Sequence, residues 1–258
     1  MTESVARVGR SLMLPLLLLL TWQVWGVATG NPRTPVPTRV AKAAYDLVTS
    51  GDLPMALLVS LGRVFAGFMI AAAIAVPLGL LMGAFRPVER NVDPIVESFR
   101  PIAAIAILPL AILWLGTGTA PAILIVGYAA FFPIVVNTVA GVKRVPPTLL
   151  RAAATMGVDR FTTLRTVVVP GALPSIAVGL RIGLGVAWTA IVAAELAVGA
   201  KAGGGGSGGI GQMMFVFYAY SIELNRIVVC MIAVGLVALV LDQLLRRGMR
   251  RLMPWSAT

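Results

Sequence analysis

The sequence predicts an all-α polytopic membrane protein of about six transmembrane helices with both termini in the cytoplasm. Three observations predict it. Of 258 residues, 59% are hydrophobic and 12% charged, with a mean hydropathy of +0.93, whereas soluble chains carry about 45–50% apolar and about 25% charged residues. The apolar residues gather in runs close to the roughly 20 residues that cross a bilayer core. Lys and Arg are shared unequally between the segments that join those runs. The same numbers exclude disorder. With no His and a single cysteine, Cys230, the chain offers no His-based acid–base catalysis, no Cys/His metal site and no intrachain disulfide. A membrane-embedded enzyme has no constellation to work with.

The six spans are expected near residues 11–29, 56–84, 95–115, 120–142, 175–198 and 227–245. Arg7 and Arg10 precede an apolar run from Leu12 to Leu20, which a secretory signal would also show. The run continues through Trp22, Trp25 and Val27 with no clean small-residue cleavage site, which favours a retained anchor helix. The third and fourth runs are separated only by Gly116, Thr117, Gly118 and Thr119. Two helices joined there by a tight turn keep irregular backbone out of lipid. The division expected is an N-terminal helix over 1–30, an external loop over 31–55 with a short interfacial helix, and a five-helix core over 56–258 with a cytoplasmic loop at 143–174.

With a cytoplasmic N-terminus, 14 of the 21 Lys and Arg residues fall inside and five outside. Arg100 is counted among the inside residues, and Arg63 and Arg181 lie within spans. The asymmetry obeys the positive-inside rule. It also accounts for the net charge of +11 without a nucleic-acid partner. Outside, residues 38–50 carry Val40, Ala44, Leu47 and Val48 on one helical face, with Arg39, Lys42 and Asp46 off it. Either a short interfacial helix or a plain loop fits this stretch.

The long inner loop carries the strongest signal. Pro146 and Pro147 fix a turn, Thr148 is placed to cap a helix over 149–156, and Gly157 is suited to end it. A second helix is expected from about Arg160 to Val169, stopping at Pro170. Ala152, Ala153 and Ala154 present nothing that protrudes, and Leu149, Leu150 and Met156 add apolar contact. The pattern suits a docking knob, and equally a plain surface helix of good helix formers.

Arg151-Ala152-Ala153, three residues, Gly157, nine residues, Val167, one residue and Val169-Pro170 resembles the EAA loop of bacterial ABC importer permeases. Arg151 stands where that pattern has Glu. Further pieces are similar to the nitrate/sulfonate/taurine importer permeases: Ser60-Leu61-Gly62-Arg63 with Pro77-Leu78-Gly79, Gly179-Leu180-Arg181 through Trp188, Glu195, Gly209-Ile210-Gly211 and Met253-Pro254-Trp255. The resemblance covers about residues 36–255. It implies a type I ABC importer-like permease fold in a bacterial inner membrane, serving a small oxyanion such as a sulfonate, taurine or nitrate. It implies a cytoplasmic ABC ATPase dimer that docks on Leu149, Arg151, Ala152, Ala153, Met156, Gly157, Asp159, Arg160 and Pro170. A second permease copy, as a homodimer, and a periplasmic or lipid-anchored binding protein complete the assembly, surrounded by membrane lipid. The chain would bind no cofactor, with ATP and Mg held by the partner. It also lacks the Gly-Lys-Ser/Thr of a phosphate-binding loop. The stretch 203–209 reads as an external flexible connection or an added linker. The other function class that fits six spans is an ion-coupled secondary transporter or channel.

Charges within the spans need an account, because each costs at least about 2.5–3.5 kcal/mol to insert. Arg63 and Glu195 come at matching depth and either pair or, in the case of Arg63, face a pathway. Arg181 is about 21 Å along the helix from Glu195 at 1.5 Å per residue. It therefore either snorkels to the interface or lines an inner vestibule, and Asp242 is expected to pair with the arginine-rich tail. Gly79 and Gly83, and Gly179, Gly183 and Gly185, are expected at close helix contacts. Trp188, Met213 and Met214 are candidates for a gate or for the core.

Overall fold

The structure is a computed structural model that describes residues 2–31, 34–201 and 208–252, with side chains for 13–31, 34–198 and 208–249. Every regular element among the described residues is helical: α1 Thr2–Ala28, α2 Pro37–Thr49, α3 Asp52–Ala84, α4 Arg86–Phe99, α5 Ala104–Leu115, α6 Thr119–Lys143, α7 Pro147–Thr155, α8 Arg160–Thr163, α9 Val169–Lys201, α10 Ile210–Val216 and α11 Leu224–Leu252. Four continuous helical stretches are long and apolar enough to span a bilayer: α3, α6, the run from Arg160 to Val198, and α11. In α1 the described apolar part, Met13–Ala28, is shorter than a span. The Met253-Pro254-Trp255 tail and residues 203–207 of the glycine stretch lie outside the described residues.

The bundle is organised around α6, which packs against both α3 and α9. Small residues let these backbones approach. A Cβ added at Gly67 would meet the Ile123 carbonyl oxygen at 2.6 Å, at Gly79 the Thr138 side chain at 2.6 Å, and at Gly179 Asn137 Cβ at 2.7 Å. Gly83 and Gly183 are similarly filled by Val142 and Ile134. Gly185 departs from expectation, since nothing lies within 4 Å of its added Cβ. The core between the three helices is built from Val64, Ala75, Val126, Ala130, Ile134, Val135, Ala187, Trp188 and Ile191. Trp188 is therefore a core residue, 2% exposed, with its indole N–H donating to the Val234 carbonyl of α11 at 3.0 Å. Met213 and Met214 pack on a second cluster around Ile210, Phe217 and Cys230.

Three expectations are corrected. The third run is not one straight helix: α4 and α5 meet at 93°, broken at residues 100–103. Pro101 has no N–H to return to Glu97, and its ring would clash with that carbonyl in a continuing helix. Helix α4 also carries Arg86, Glu89, Arg90, Asp93 and Glu97, and it turns Val88, Val92 and Val96 toward the core. The tight turn at Gly116 and Gly118 stands as expected, with φ of 76° and 135° that only glycine adopts readily.

The second helix of the 143–174 loop does not stop at Pro170. It widens through a π-helical turn at Leu164–Val168 and continues as α9. Pro170 therefore lies inside a continuous helical run, directly after the π-helical turn, and its missing N–H takes one bond out of that run. Likewise α7 starts at Pro147 rather than at 149, with Pro146 as its flanking residue and Pro147 in its first position, and Thr148 makes no capping bond.

Helix α2 is formed but buries Val40, Ala43 and Leu47, leaving Val48 54% exposed. It packs on α11 and the Ile210 cluster, and hydrogen bonds from Trp22 to the Pro35 carbonyl and between Gln23 and Thr38 tie α1 to it. After α10, a π-helical turn at Phe217–Ser221 and Ile222 at φ 51° reverse the chain into α11.

Candidate functional site

Helix α7 lies between the core-packed helices α6 and α9, and all its side chains but that of Ala153 are exposed. Its end is defined by local chemistry. Gly157 takes φ 70°, its N–H donates to the Ala154 carbonyl at 3.1 Å, and the N–H of Val158 donates to that of Ala153 at 3.1 Å. This paired closure is the Schellman motif, which needs a left-handed residue and so favours glycine. Ala153 is 2% exposed beneath it. Of the three alanines, then, Ala153 seats the helix while Ala152 and Ala154 face outward.

Asp159 starts α8. Its carboxylate accepts from the N–H groups of Phe161 and Thr162, each at 3.0 Å. These bonds, the Thr162 hydroxyl first among the causes, hold its carboxyl below the ordinary aspartate value of 3.8. Asp159 is thus a capping residue rather than a free contact group. The sequence signal, Asp directly before a helix, was available.

At the base of the loop, Val142 and Val145 pack against Val168, Ala172 and Ile176, closing the end of α6 on the start of α9. Gly141 allows this approach of α6 and α9, since a Cβ there would meet Ser175 Cβ at 2.7 Å. What remains outside is an apolar patch of Leu149, Leu150, Met156 (73% exposed) and Phe161 (72% exposed), flanked by exposed Arg151 and Arg160. Phe161 escaped the sequence reading because it was assigned to a helix returning to the membrane. Pro170 lies apart from this group, in the first turn of α9.

The intramembrane charges are brought into two pairs. Arg63 Nη1 donates to Glu195 Oε1 at 2.8 Å, with side chains 10% and 1% exposed. Glu195 also accepts from the Ser60 hydroxyl, at 2.9 and 2.7 Å to its two oxygens, and from the Gly211 N–H at 3.1 Å. Ser60 Oγ in turn accepts from the Ile210 N–H at 2.9 Å, and Arg63 Nη2 reaches Thr119 Oγ1 at 3.3 Å. One buried carboxylate therefore satisfies the open start of α10 and ties α3, α6 and α9 to it. The Gly209-Ile210-Gly211 element acquires a physical reason. A Cβ on Gly209 would fall 2.0 Å from Glu195 Oε1, and one on Gly211 would fall 2.5 Å from the Val192 carbonyl.

Arg181 does not meet Glu195. Its guanidinium forks onto Asp242 of α11, Nη2 to Oδ2 at 2.9 Å and Nε to Oδ1. Asp242 also meets Arg246 at 3.2 Å, so the expected pairing with the basic tail is only part of its environment.

A family profile described as "Binding-protein-dependent transport system inner membrane component" matches residues 75–253. Among similar proteins, one of Methanocaldococcus jannaschii bearing the name of an ABC transporter permease is 38% identical, over 90% of this chain and 86% of its own. The taurine transport system permease protein of Escherichia coli is 36% identical, over 93% and 86%. The nitrate import permease protein of a Synechocystis strain is 32% identical, over 88% and 82%. Among solved structures, an inward-facing MetNI methionine ABC transporter chain superposes with a TM-score of 0.61 at 24% identity, covering 78% of this chain and 94% of that one.

Proposed function

The chain belongs to the family of binding-protein-dependent transport system inner membrane components, and from that premise we propose how this permease subunit of an ABC importer works and what it carries. As a family member it is a multi-pass inner-membrane protein that serves with an ATPase and a substrate-binding protein. Its cargo is a small oxyanion. The relatives named for taurine and nitrate support this class, since taurine carries a sulfonate, beside its ammonium, and nitrate is itself an oxyanion.

The exposed, tightly capped helix α7 carries the coupling role. Leu149, Met156 and Phe161 offer an apolar anchor of the kind that dominates protein–protein binding energy, with Arg151 and Arg160 at the rim. We assign this face to the cytoplasmic ATPase. Both termini are cytoplasmic, and two copies of the chain line one pathway. Hydrolysis occurs on the ATPase, which holds ATP and Mg, and this chain binds no cofactor. ATP binding moves α7, and because short connections join α7 to α6 on one side and through α8 to α9 on the other, those helices tilt between inward-open and outward-open states.

The test is affinity purification of the tagged chain from solubilised membranes with its ATPase, comparing wild type with Gly157→Trp. The ATPase is expected with the wild type and lost from the variant. Uptake of taurine or nitrate into vesicles containing the complete assembly, requiring ATP, completes it. Gradient-driven uptake by this chain alone would overturn the importer reading in favour of a carrier. Unchanged α7 distances across the ATP cycle would overturn the motion.

A further inference from the structure

The break between α4 and α5 sets Arg100, which counts from sequence among the inside cations, beside α6. Arg100 directly follows Phe99, whose carbonyl accepts a hydrogen bond from the Tyr128 hydroxyl at 2.6 Å. On α6, Tyr128 lies roughly 14 Å from the Thr119 end and roughly 22 Å from the Lys143 end, at 1.5 Å per residue. At the other end of α4, Glu89 pairs with Lys143. So α4 climbs beside α6 from its Lys143 end, and the chain breaks near the middle of that span.

Non-helical backbone at such depth is tolerated only where it is covered by protein or lines a wet cavity. A cavity of about 420 Å³ lies there, lined by Arg100, Tyr128, Phe132, Asn137, Ile182 and Val186 among others. That volume falls in the range of small-molecule sites. Its walls are apolar with a few polar groups, and Arg100 is the only charged residue in its lining.

The other two intramembrane arginines are neutralised by firm partners, Arg63 by Glu195 and Arg181 by Asp242. Arg100 meets Glu97 at 3.2 Å, a pair three residues apart on one helix with both side chains about half exposed, 52% and 56%. Such exposed pairs are weak and readily exchanged. A guanidinium presents a planar fork that matches two oxygens of a sulfonate, nitrate or carboxylate.

We propose that Arg100 forms a transient station for the oxyanion group of the cargo in the transport pathway, at the α4–α5 break, which favours solutes that carry such a group. It rests on the oxyanion reading of the permease. The station is weak by construction, as passage requires: Glu97 competes for the same guanidinium and takes it back when the anion leaves.

The experiment uses the complete assembly with its ATPase and binding protein in proteoliposomes, with taurine and nitrate as probes. Arg100→Gln should lower maximal uptake by about tenfold or more, the scale of losing a hydrogen bond to a charged group. Half-saturation by the loaded binding protein should stay put, and Arg100→Lys should restore part of the rate. Arg100→Cys supplies a charge-specific readout, because the only native cysteine, Cys230, is buried. Labelling it with aminoethyl methanethiosulfonate, which restores a cation, should recover uptake, whereas the sulfonatoethyl reagent should not. Co-elution with the ATPase reports assembly. If Arg100→Gln fails to assemble, the labelled Arg100→Cys protein decides. Wild-type uptake by assembled Arg100→Gln, or equal recovery with both reagents, overturns the proposal while leaving the oxyanion reading intact. If the wild-type assembly carries neither probe and takes up an uncharged solute, the oxyanion reading itself fails and the station falls with it.

Discussion

Arg63 of α3 and Glu195 of α9 form a 2.8 Å ion pair that is almost wholly enclosed, and the same carboxylate holds the backbone of Gly211 at the start of α10. Breaking one side of a buried pair leaves an uncompensated charge, which costs roughly 3–5 kcal/mol, while replacing both partners with apolar groups is often close to neutral. Arg63→Met and Glu195→Leu should each lower the thermal midpoint of the detergent-solubilised protein sharply. The double variant should lose less than the sum of the two, the residual loss coming from the Gly211 N–H and Ser60 hydroxyl left without the Glu195 carboxylate. Additive losses in the double variant would show that the two residues do not act as a pair.

Glycine positions along the core helices divide into two classes that substitution should separate. At Gly211 the obstacle to a Cβ is the Val192 carbonyl at 2.5 Å, and at Gly67 it is the Ile123 carbonyl at 2.6 Å, both backbone that cannot rotate away. Gly211→Ala and Gly67→Ala should therefore push helices apart and reduce the yield of folded protein. Gly185→Ala meets nothing. It should be tolerated in the isolated chain, with a gain of up to about 1 kcal/mol from helix propensity. Folded yield after size-exclusion chromatography of the three variants tests the division.

The long apolar runs and the basic bias made the membrane class and the four long helices legible, because lipid imposes length and continuity on any span. Gly157 was legible as a helix stop for the same local reason that the structure shows. Matching depth made the Arg63–Glu195 pair legible as one of two alternatives, while the partner of Arg181 could not be read. Arg181 and Asp242 are 61 residues apart in sequence, and nothing local in the sequence says that α11 delivers a carboxylate to α9. The α4–α5 break was marked by Pro101, yet its depth depends on how α4 climbs α6. From sequence, Arg100 counts among the inside cations although it falls within the run expected at 95–115. The role of Asp159 is legible in helix-start chemistry, since an aspartate directly before a helix accepts from its first free N–H groups.

The face formed by Leu149, Met156 and Phe161 should bind through its apolar side chains rather than its charges. Met156→Glu and Phe161→Glu each place a carboxylate where the proposed ATPase contact would desolvate it. Each should weaken co-purification of the ATPase by about tenfold or more, as loss of a central interface residue does. Arg151→Ala, at the rim, should change binding less and mainly at low salt. The spans are untouched, so monodisperse elution of the permease should persist. Equal effects of the rim and apolar changes would count against an apolar anchor.

Asp159 ties the presentation of that face to ionisation of one carboxyl. In the folded loop its pKa is depressed below 3.8 by the Thr162 hydroxyl and by the amides of Thr162 and Phe161. A group depressed on folding contributes stability that is fully present above its unfolded pKa and is lost as pH falls through its folded value. The cap should therefore be constant across neutral pH and weaken only below the ordinary aspartate range. Asparagine caps about as well as aspartate, and alanine does not. Amide hydrogen exchange at Phe161 and Thr162 should thus be several-fold faster in Asp159→Ala at neutral pH and nearly unchanged in Asp159→Asn. On acidification the wild type should lose protection while Asp159→Asn, having no carboxyl to protonate, keeps it. Parallel acid profiles for wild type and Asp159→Asn would show that some other group, not this cap, orders the turn that presents Phe161.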